Sequence, residues 1–487
     1  MGLRMGKGLS RSILLAGAAL VAHPALADDL REALVMAYNT NPSLQAARAQ
    51  QRAVDAGVPI ARSQALPSLS GSATHTEFVK RSASTVGGPL NGPERAFSAD
   101  VNAGMPLYAG GAIRNSISAA KVRVEAGRAD LRAAETDVFS QTVASYMDVI
   151  LGQAVVELSR GQVGVLEVNL QATRDRFEIG DLTRTDVAQS QARLSLARGQ
   201  ARSAEAQLVS ARERYIAVVG KEPSNLQPPP PLPGLPADVE SAVQVALDSN
   251  PDLLAARQRS KAAGYDTAAS SAGRLPRVSV FAGADYIDYY NTLGAGSPAL
   301  NQNGTTAQAG VRATIPLFQG GLPAAQRRQA QAREGATLEQ EIAIERQVIA
   351  AVRGTFASWQ ASREIIASSQ SAVDAAKLSL EGVRAENTVG NRTILDILDA
   401  EQELLNAQVQ LVTAQRNSYV AGFNLLAAMG KAEARDLGLD GGTLYDPVAN
   451  YERTAGDIWD WSSDPAPKPR STRTVDTKAQ DGSVAPK

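Results

Sequence analysis

The segment Ala385–Ala400, AENTVGNRTILDILDA, contains the features that decide the fold. Gly390 interrupts one long helical pattern, and Thr393 begins another. Glycine just past one helix and threonine at the start of the next are the usual signals for helix caps. Apolar residues then recur at every seventh position, at Leu398, Leu405, Val412, Tyr419 and Leu426. This spacing predicts a helix–turn–helix tip whose second helix packs in a coiled coil.

The same arrangement occurs earlier in the chain, in the segment Phe177–Asp186, FEIGDLTRTD. Its glycine, threonine and aspartate return 210 residues later, which pairs Gly180 with Gly390, Thr183 with Thr393 and Asp186 with Asp396. Other motifs repeat with the same shift to within one residue: Asn41-Pro42 with Asn250-Pro251, Leu66-Pro67 with Leu275-Pro276, and Met105–Gly111 with Ile315–Gly321. So many separated matches predict a duplicated chain with two equivalent tips.

The start of the chain has the features of a secretory signal peptide. Basic residues precede the apolar run Ile13–Ala22, and an Ala-x-Ala cleavage site follows at Ala25–Ala27. In the rest of the chain we find no run of about 20 continuous apolar residues, so we expect no transmembrane helix. The predicted segments are a signal peptide (1–27), a first repeat (28–220), a proline-rich linker (221–236), a second repeat (237–430), a segment packing near the tunnel equator (431–461) and a disordered tail (462–487).

Each repeat is expected to contain the same elements in the same order. A helix of roughly 35 residues ends at Leu66-Pro67 or Leu275-Pro276, and two strands follow it. A helix of roughly 65 residues then leads to the tip, and a second helix of roughly 35 residues returns from it. So long a helix needs a coiled-coil partner, and the first repeat supplies heptad positions on both sides of its tip, at Val149, Val156, Val163, Leu170, Leu194, Leu208 and Tyr215.

The strands carry the argument for a membrane. Apolar and small or polar residues alternate strictly in two of them, with apolar residues at Phe97, Ala99, Val101, Ala103, Met105 and Leu107, and again at Ala307, Ala309, Val311, Ala313, Ile315 and Leu317. Alternation over about eleven residues is typical of a tilted barrel strand with lipid on one face and water on the other. A soluble hairpin with one buried face has the same pattern. The export signal and the strand lengths favour the barrel.

The predicted fold class is mainly α, with a duplicated coiled-coil tunnel and a β-barrel part. Four strands per chain cannot close a barrel, and open sheet edges are not tolerated in lipid. Several chains must therefore share one barrel. Three chains would give twelve strands, and two or four chains would also satisfy closure.

The composition excludes several functions. There is no cysteine and there are two histidines, one of them inside the signal peptide, so thiolate metal sites and nucleophile–histidine arrangements are absent. The formal net charge of −1 gives no electrostatic reason to expect nucleic acid as a partner. We expect no enzymatic activity, no cofactor and no metal.

With its Asn-Pro-x-Leu motifs, its Pro-Leu-aromatic-x-Gly-Gly strand ends and its two glycine tips, the chain resembles the TolC-type outer-membrane efflux protein family over residues 28–430. The resemblance implies a homotrimer with a twelve-stranded barrel in outer-membrane lipid and a long periplasmic tunnel, in a Gram-negative bacterium. It also implies two protein partners, a periplasmic adaptor and an inner-membrane transporter.

The second tip carries an acidic residue that the first tip lacks. Asp396 has capping-box spacing from Thr393, and a helix cap alone would explain it. Asp399 lies one turn further on, where the first repeat has Gln189. If three chains meet there, both carboxylates form stacked rings that repel one another, hold protons more tightly and attract cations.

The resemblance places a periplasmic constriction at these aspartates. It implies that Arg392 bonds toward Thr185 and Asp186 of the adjacent tip helix and locks the closed state. Asn387 stands where the family has a linking tyrosine, and its shorter side chain is expected to hold the closed state more loosely. The adaptor is expected to dock at the tips, around Gly180, Leu182, Val389 and Gly390.

The sequence therefore predicts an exit duct for drugs, other small molecules or proteins. The outer-membrane component of type I protein secretion has the same fold, and the sequence does not separate the two. An exported coiled-coil scaffold is the alternative from another class.

Overall fold

A computed structural model describes residues 29–79, 92–439 and 444–484, and the predicted signal peptide lies outside these ranges. The first repeat folds into five helices and two strands. These are α1 (Leu30–Thr40), α2 (Pro42–Asp55), α3 (Gly57–Ser63), β1 (Ser68–Glu77), β2 (Arg95–Tyr108), α4 (Ala112–Glu178) and α5 (Arg184–Val219).

The second repeat has the same order of elements. It contains α6 (Val239–Ser249), α7 (Pro251–Ser270), β3 (Arg277–Asp288), β4 (Asn303–Thr314), α8 (Leu322–Thr388) and α9 (Ile394–Ala428), and one further helix, α10 (Pro447–Ala455), follows it. Both long helices have 67 residues, so each is about 100 Å long. The helices that return from the tips have 36 and 35 residues, close to the predicted lengths.

The prediction of one continuous helix before each strand pair is wrong. The chain breaks at Asn41 and again at Asn250, because proline occupies the next position and the asparagine caps the following helix. Each asparagine also donates its side-chain amide to the end of the helix returning from the tip. Asn41 Nδ2 lies 2.9 Å from the Val218 carbonyl, and Asn250 Nδ2 lies 2.9 Å from that of Ala428. The Asn-Pro motif thus joins each broken helix to its own repeat.

The expectation that no later segment could cross a membrane as a helix needs one correction. Within the described residues, α4 contains a stretch long and apolar enough to do so by composition alone. The same helix, however, contributes buried side chains to the main apolar core, including Phe139, Val143, Tyr146 and Val149. Of the apolar stretch itself, 22% is buried in the single chain.

The four strands form one antiparallel sheet in the order β1-β2-β3-β4, so β2 and β3 join the two repeats. The register places Val101 opposite Ala284, and Ala284 opposite Ala307, on one face of the sheet. Asp100, on the other face, accepts a hydrogen bond of 2.7 Å from Asn102. The predicted alternation is therefore real, but β4 ends at Thr314, and Ile315 and Leu317 lie beyond it.

Where α4 passes the ends of α5 and α9, an apolar core forms around Tyr146, Tyr215 and Phe423. The proline-rich linker lies across this core. The Tyr146 hydroxyl donates to the Gln227 carbonyl at 2.6 Å, and the Tyr419 hydroxyl donates to that of Pro230 at 3.2 Å.

The C-terminal tail differs from the disordered segment expected from its composition. Residues 472–484 lie along α5, with one turn between Thr474 and Thr477. Arg212 donates to the carbonyls of Asp481 (2.6 Å) and Ser483 (2.8 Å), and the Gln480 amide donates to Glu213 at 3.0 Å. Main-chain contacts of this kind depend little on side-chain type, which is why a polar composition did not reveal them.

Candidate functional site: the two helix tips

Both tips end their long helix in the same way. Gly180 and Gly390 each have a φ of 82°, a left-handed conformation that favours glycine. The amides of the residues after them bond back into the last helical turn, from Asp181 to the Arg176 carbonyl at 2.9 Å and from Asn391 to that of Glu386 at 3.0 Å. This is the Schellman pattern of helix termination, and it turns the chain sharply at both tips.

The returning helices both begin with a capping box, as the Thr-x-x-Asp spacing predicts. At the second tip, the Asp396 amide donates to the Thr393 hydroxyl at 3.3 Å, and the Asp396 carboxylate accepts from the Thr393 amide at 2.8 Å. The Thr393 hydroxyl donates to the same carboxylate, and these bonds lower the pKa of Asp396. In the single chain this carboxylate is therefore more acidic than usual, the opposite of the effect expected from crowding in an assembled ring.

Each tip also has an ion pair between the long helix and the turn, but the basic and acidic residues have exchanged places between the two tips. At the first tip Arg176 on α4 pairs with Asp181 in the turn, at 2.7 Å. At the second tip Glu386 on α8 pairs with Arg392 in the turn, also at 2.7 Å. In the single chain the Arg392 guanidinium is thus engaged at its own tip. A link from Arg392 toward Thr185 and Asp186 of an adjacent tip stays a prediction.

Asn387 has a local role that the sequence did not predict. Its side-chain amide donates to the Arg392 carbonyl at 2.7 Å, which ties the end of α8 to the turn. The residue that stands in place of the expected tyrosine therefore fixes the backbone from which the Arg392 side chain extends.

The structure gives Asp399 a partner that the sequence did not identify. Its carboxylate forms an ion pair with Arg193 on α5, so the second tip is tied to the first repeat. Asp396 is engaged by its own helix start, and the two carboxylates have different partners. One sequence signal could have shown this pairing. The residue equivalent to Arg193 in the second repeat is Glu403, so the two repeats carry opposite charges at this position.

A second link between the repeats lies two residues further along α9. Glu401 is buried, and its carboxylate oxygens accept from Asn169 Nδ2 on α4 at 3.0 and 3.1 Å. Arg384 on α8 donates to the same carboxylate at 2.9 Å. This one side chain thus connects three helices near the tips, and no periodicity in the sequence marks it.

Apolar side chains lie exposed at the turns themselves. Val389 is 69% exposed, and its equivalent Ile179 is 81% exposed, whereas Leu182 is only half-buried. The sequence motifs predicted a contact at Val389 and Leu182 but not at Ile179, although the 210-residue shift pairs Ile179 with Val389. Within the described ranges, no three His, Asp or Glu side chains come together as metal ligands would.

The duplicated architecture and its two tips are also found in known proteins. The model of the family described as "Outer membrane efflux protein" matches residues 33–221 and 242–431. The chain belongs to the outer membrane efflux protein family. The two matched ranges each contain one helix–turn–helix tip and its strand pair. This efflux protein is therefore located in the outer membrane, with its strands as the membrane part.

Relatives of this efflux protein match most of its length. It is 33% identical to the outer membrane efflux protein BepC of Brucella suis over 458 residues, which cover 93% of this chain and 95% of BepC. It is 27% identical to the outer membrane protein TolC of Escherichia coli, over 64% of this chain and 66% of TolC. Its fold matches the solved CmeC outer membrane channel of Campylobacter jejuni with a TM-score of 0.72 and 18% identity, over 88% of this chain and 89% of CmeC.

Proposed function

We propose that three copies of the chain assemble into a closed duct that passes drugs or other small molecules out of the cell. An inner-membrane transporter would deliver them through a periplasmic adaptor, and the duct would carry out no chemistry on them. The observation that carries this proposal is that, in the part of the chain that the structure describes, the sheet ends in two unpaired strands and the helix layer ends in an uncovered face of α8.

The sheet has two such edges, β1 and β4. Unpaired backbone groups are too costly in lipid, so each edge must pair with a strand of another copy. Just beyond β4, the apolar side chains of Ile315, Leu317 and Phe318 are exposed in the single chain. A neighbouring protomer that pairs with β4 would cover them as well.

The helix layer is open on the same side. α4 packs between two equivalent helices, α2 of its own repeat and α7 of the second repeat. Within the described residues, α8 contacts α7 of its own repeat but has no second helix of this type on its other flank. Apolar side chains on that part of α8, at Leu322, Leu338 and Ile342, are exposed. The missing partner is therefore an α2-type helix from the next copy. A head-to-tail contact of this kind generates a ring when the rotation closes, and three copies would give twelve strands.

The tips would form the closable end of this duct. Asp396 and Asp399 would line the constriction, with Arg392, Asn387 and the Thr185–Asp186 pair holding adjacent tips together. Opening would separate α8 and α9 from the first-repeat helices. The bonds of Asp399 to Arg193 and of Glu401 to Asn169 cross that boundary, so opening would break them. The exposed Ile179 and Val389, beside Gly180, Leu182 and Gly390, offer an adaptor an apolar contact that is present on both tips.

The mass of the detergent-extracted complex tests the assembly. Outer-membrane fractions of cells expressing the chain should yield a complex of three protomers, which conducts ions in planar bilayers. A matched variant with Leu338→Glu and Ile342→Glu on the open face of α8 should fail to assemble. A monomer from the unaltered chain, or a trimer that survives these substitutions unchanged, would contradict the proposal.

A further inference from the structure

The segment after α10 lies at the junction between the helices and the sheet. Asn450 at the middle of α10 donates to Asp55 of α2 at 2.8 Å, and the Ala455 carbonyl at its end accepts from Arg62 of α3 at 2.7 Å. The helix α10 therefore runs beside α2 and α3 in the direction of the strands. Since Arg62 is six residues before Ser68, the first residue of β1, the end of α10 lies just below the foot of the sheet.

The chain beyond this point forms a projecting loop, residues 456–463. Arg453 on α10 pairs with Asp464 at 2.7 Å, so the chain returns to the level of α10 after the loop. The loop begins at Gly456, directly after the Ala455 carbonyl that accepts from Arg62. The start of the loop therefore lies beside the end of α3, a few residues before the first strand.

The loop exposes its largest side chains. Ile458 is 76% exposed, Trp459 70% and Trp461 84%, and these are two of the three tryptophans in the chain. The loop is closed by its own bonds, from the Trp459 amide to Asp457 at 3.1 Å and from the Ser462 amide to the Trp459 carbonyl at 3.0 Å. An exposed apolar cluster on a preformed loop is typical of a contact surface.

We propose that the loop 456–463 is a membrane anchor, with Trp459 and Trp461 in the phospholipid headgroup region of the periplasmic leaflet. Tryptophan is enriched at that depth because its ring is apolar and its indole N–H bonds to polar groups. Ile458 contacts the upper acyl chains. The Asp464 charge is paired with Arg453, so it does not oppose this placement. The loop carboxylates of Asp457 and Asp460 stay on the aqueous side of the headgroups, because a charge is costly in the hydrocarbon layer. The loop acts beside the barrel and fixes its height and tilt in the bilayer.

Tryptophan fluorescence tests this placement with the full-length channel in phosphatidylcholine nanodiscs. In a Trp359→Phe background, the two loop tryptophans should emit at a shorter wavelength than the same loop does as a free peptide in aqueous buffer. Lipids brominated in the upper acyl chain should quench this emission. The control is Trp459→Phe with Trp461→Phe, which retains only Trp359. That residue packs against Phe356 within α8, and brominated lipid should leave its emission unchanged.

Two results would overturn the proposal. Quenching by aqueous iodide without quenching by brominated lipid would place the loop in water. Protection from both quenchers would show that a neighbouring protomer covers the indoles. The phenylalanine substitutions keep the apolar character of the loop, so the variants are expected to assemble, and the mass of the complex confirms this independently.

Discussion

Glu401 of α9 and Asn169 of α4 hold the two repeats together through a buried carboxylate–amide contact of 3.0 Å. Glu401→Ala removes the acceptor of both the half-buried Asn169 amide and the Arg384 guanidinium. We expect the free energy of unfolding to fall by ~1–3 kcal/mol, because a polar group would lose its partner. Urea denaturation of the detergent-solubilised channel measures this change.

The same substitution should also raise the single-channel conductance, since Glu401 bonds across the boundary that opening separates. The matched control is Glu403→Ala, which alters an exposed carboxylate two residues away on the same helix. Equal effects of the two variants on both measurements would show that the Asn169 contact has no particular role.

The proposed lock between adjacent tips predicts a gain of conductance. Arg392→Ala combined with Asp186→Ala removes both sides of the expected link, and the channel in planar bilayers should open more widely. Arg176→Ala is the control, because Arg176 forms the corresponding ion pair at the first tip. If the double variant conducts as the unaltered channel does, Arg392 and Asp186 do not hold the closed state.

The aspartates at the constriction predict block by multivalent cations. Asp396→Ala with Asp399→Ala should weaken this block, since a ring of carboxylates attracts cations. Of the single substitutions, Asp396→Asn should have the larger effect, because the Asp399 charge is paired directly with Arg193, whereas the Arg392 guanidinium lies 4.0 Å from Asp396. Asp181→Asn, in the turn of the first tip, serves as the control. Block retained in the double variant would remove both residues from the constriction.

Much of this architecture follows from local sequence signals. Glycine at the turns and Thr-x-x-Asp after them depend on bonds within a few residues, so both tips were predictable. The alternation that marks β2 follows from side chains pointing to opposite faces of a sheet. The break at Asn41 was missed because the helical pattern continues on both sides of it, although Pro42 at a first helical position was a visible sign.

The contacts between repeats were not predictable in the same way. Arg193 and Asp399 are 206 residues apart, and their pairing depends on how α5 lies against α9. Glu401 is a charged residue on a coiled-coil helix, where exposure is the usual expectation, and only the positions of Asn169 and Arg384 explain its burial. Such pairs require the three-dimensional register of the helices.

The capping threonine of the second tip predicts a pH effect. The Thr393 hydroxyl and amide lower the pKa of Asp396, so the stability that this ionised group contributes is present at neutral pH and is lost as the pH falls through its lowered pKa. Thr393→Ala should move this loss, and the loss of cation block, to a higher pH. Conductance with a multivalent cation, measured over a pH series, gives the result. Thr388→Ala is the control, since the Thr388 hydroxyl bonds to the Ala385 carbonyl instead.

The contacts of the C-terminal tail predict that two arginines of α5 differ in how strongly their substitution exposes the tail to protease. Arg212 donates to two main-chain carbonyls of the tail, whereas Arg214 lies 3.8 Å from Asp148 on α4. Arg212→Ala should release the tail and expose Lys478 to trypsin, because proteases cut segments that detach from the fold. Arg214→Ala should leave the cleavage rate close to that of the unaltered channel. Mass spectrometry of the released peptides measures both rates, and equally fast cleavage in all three proteins would show that the tail does not stay on α5 in solution.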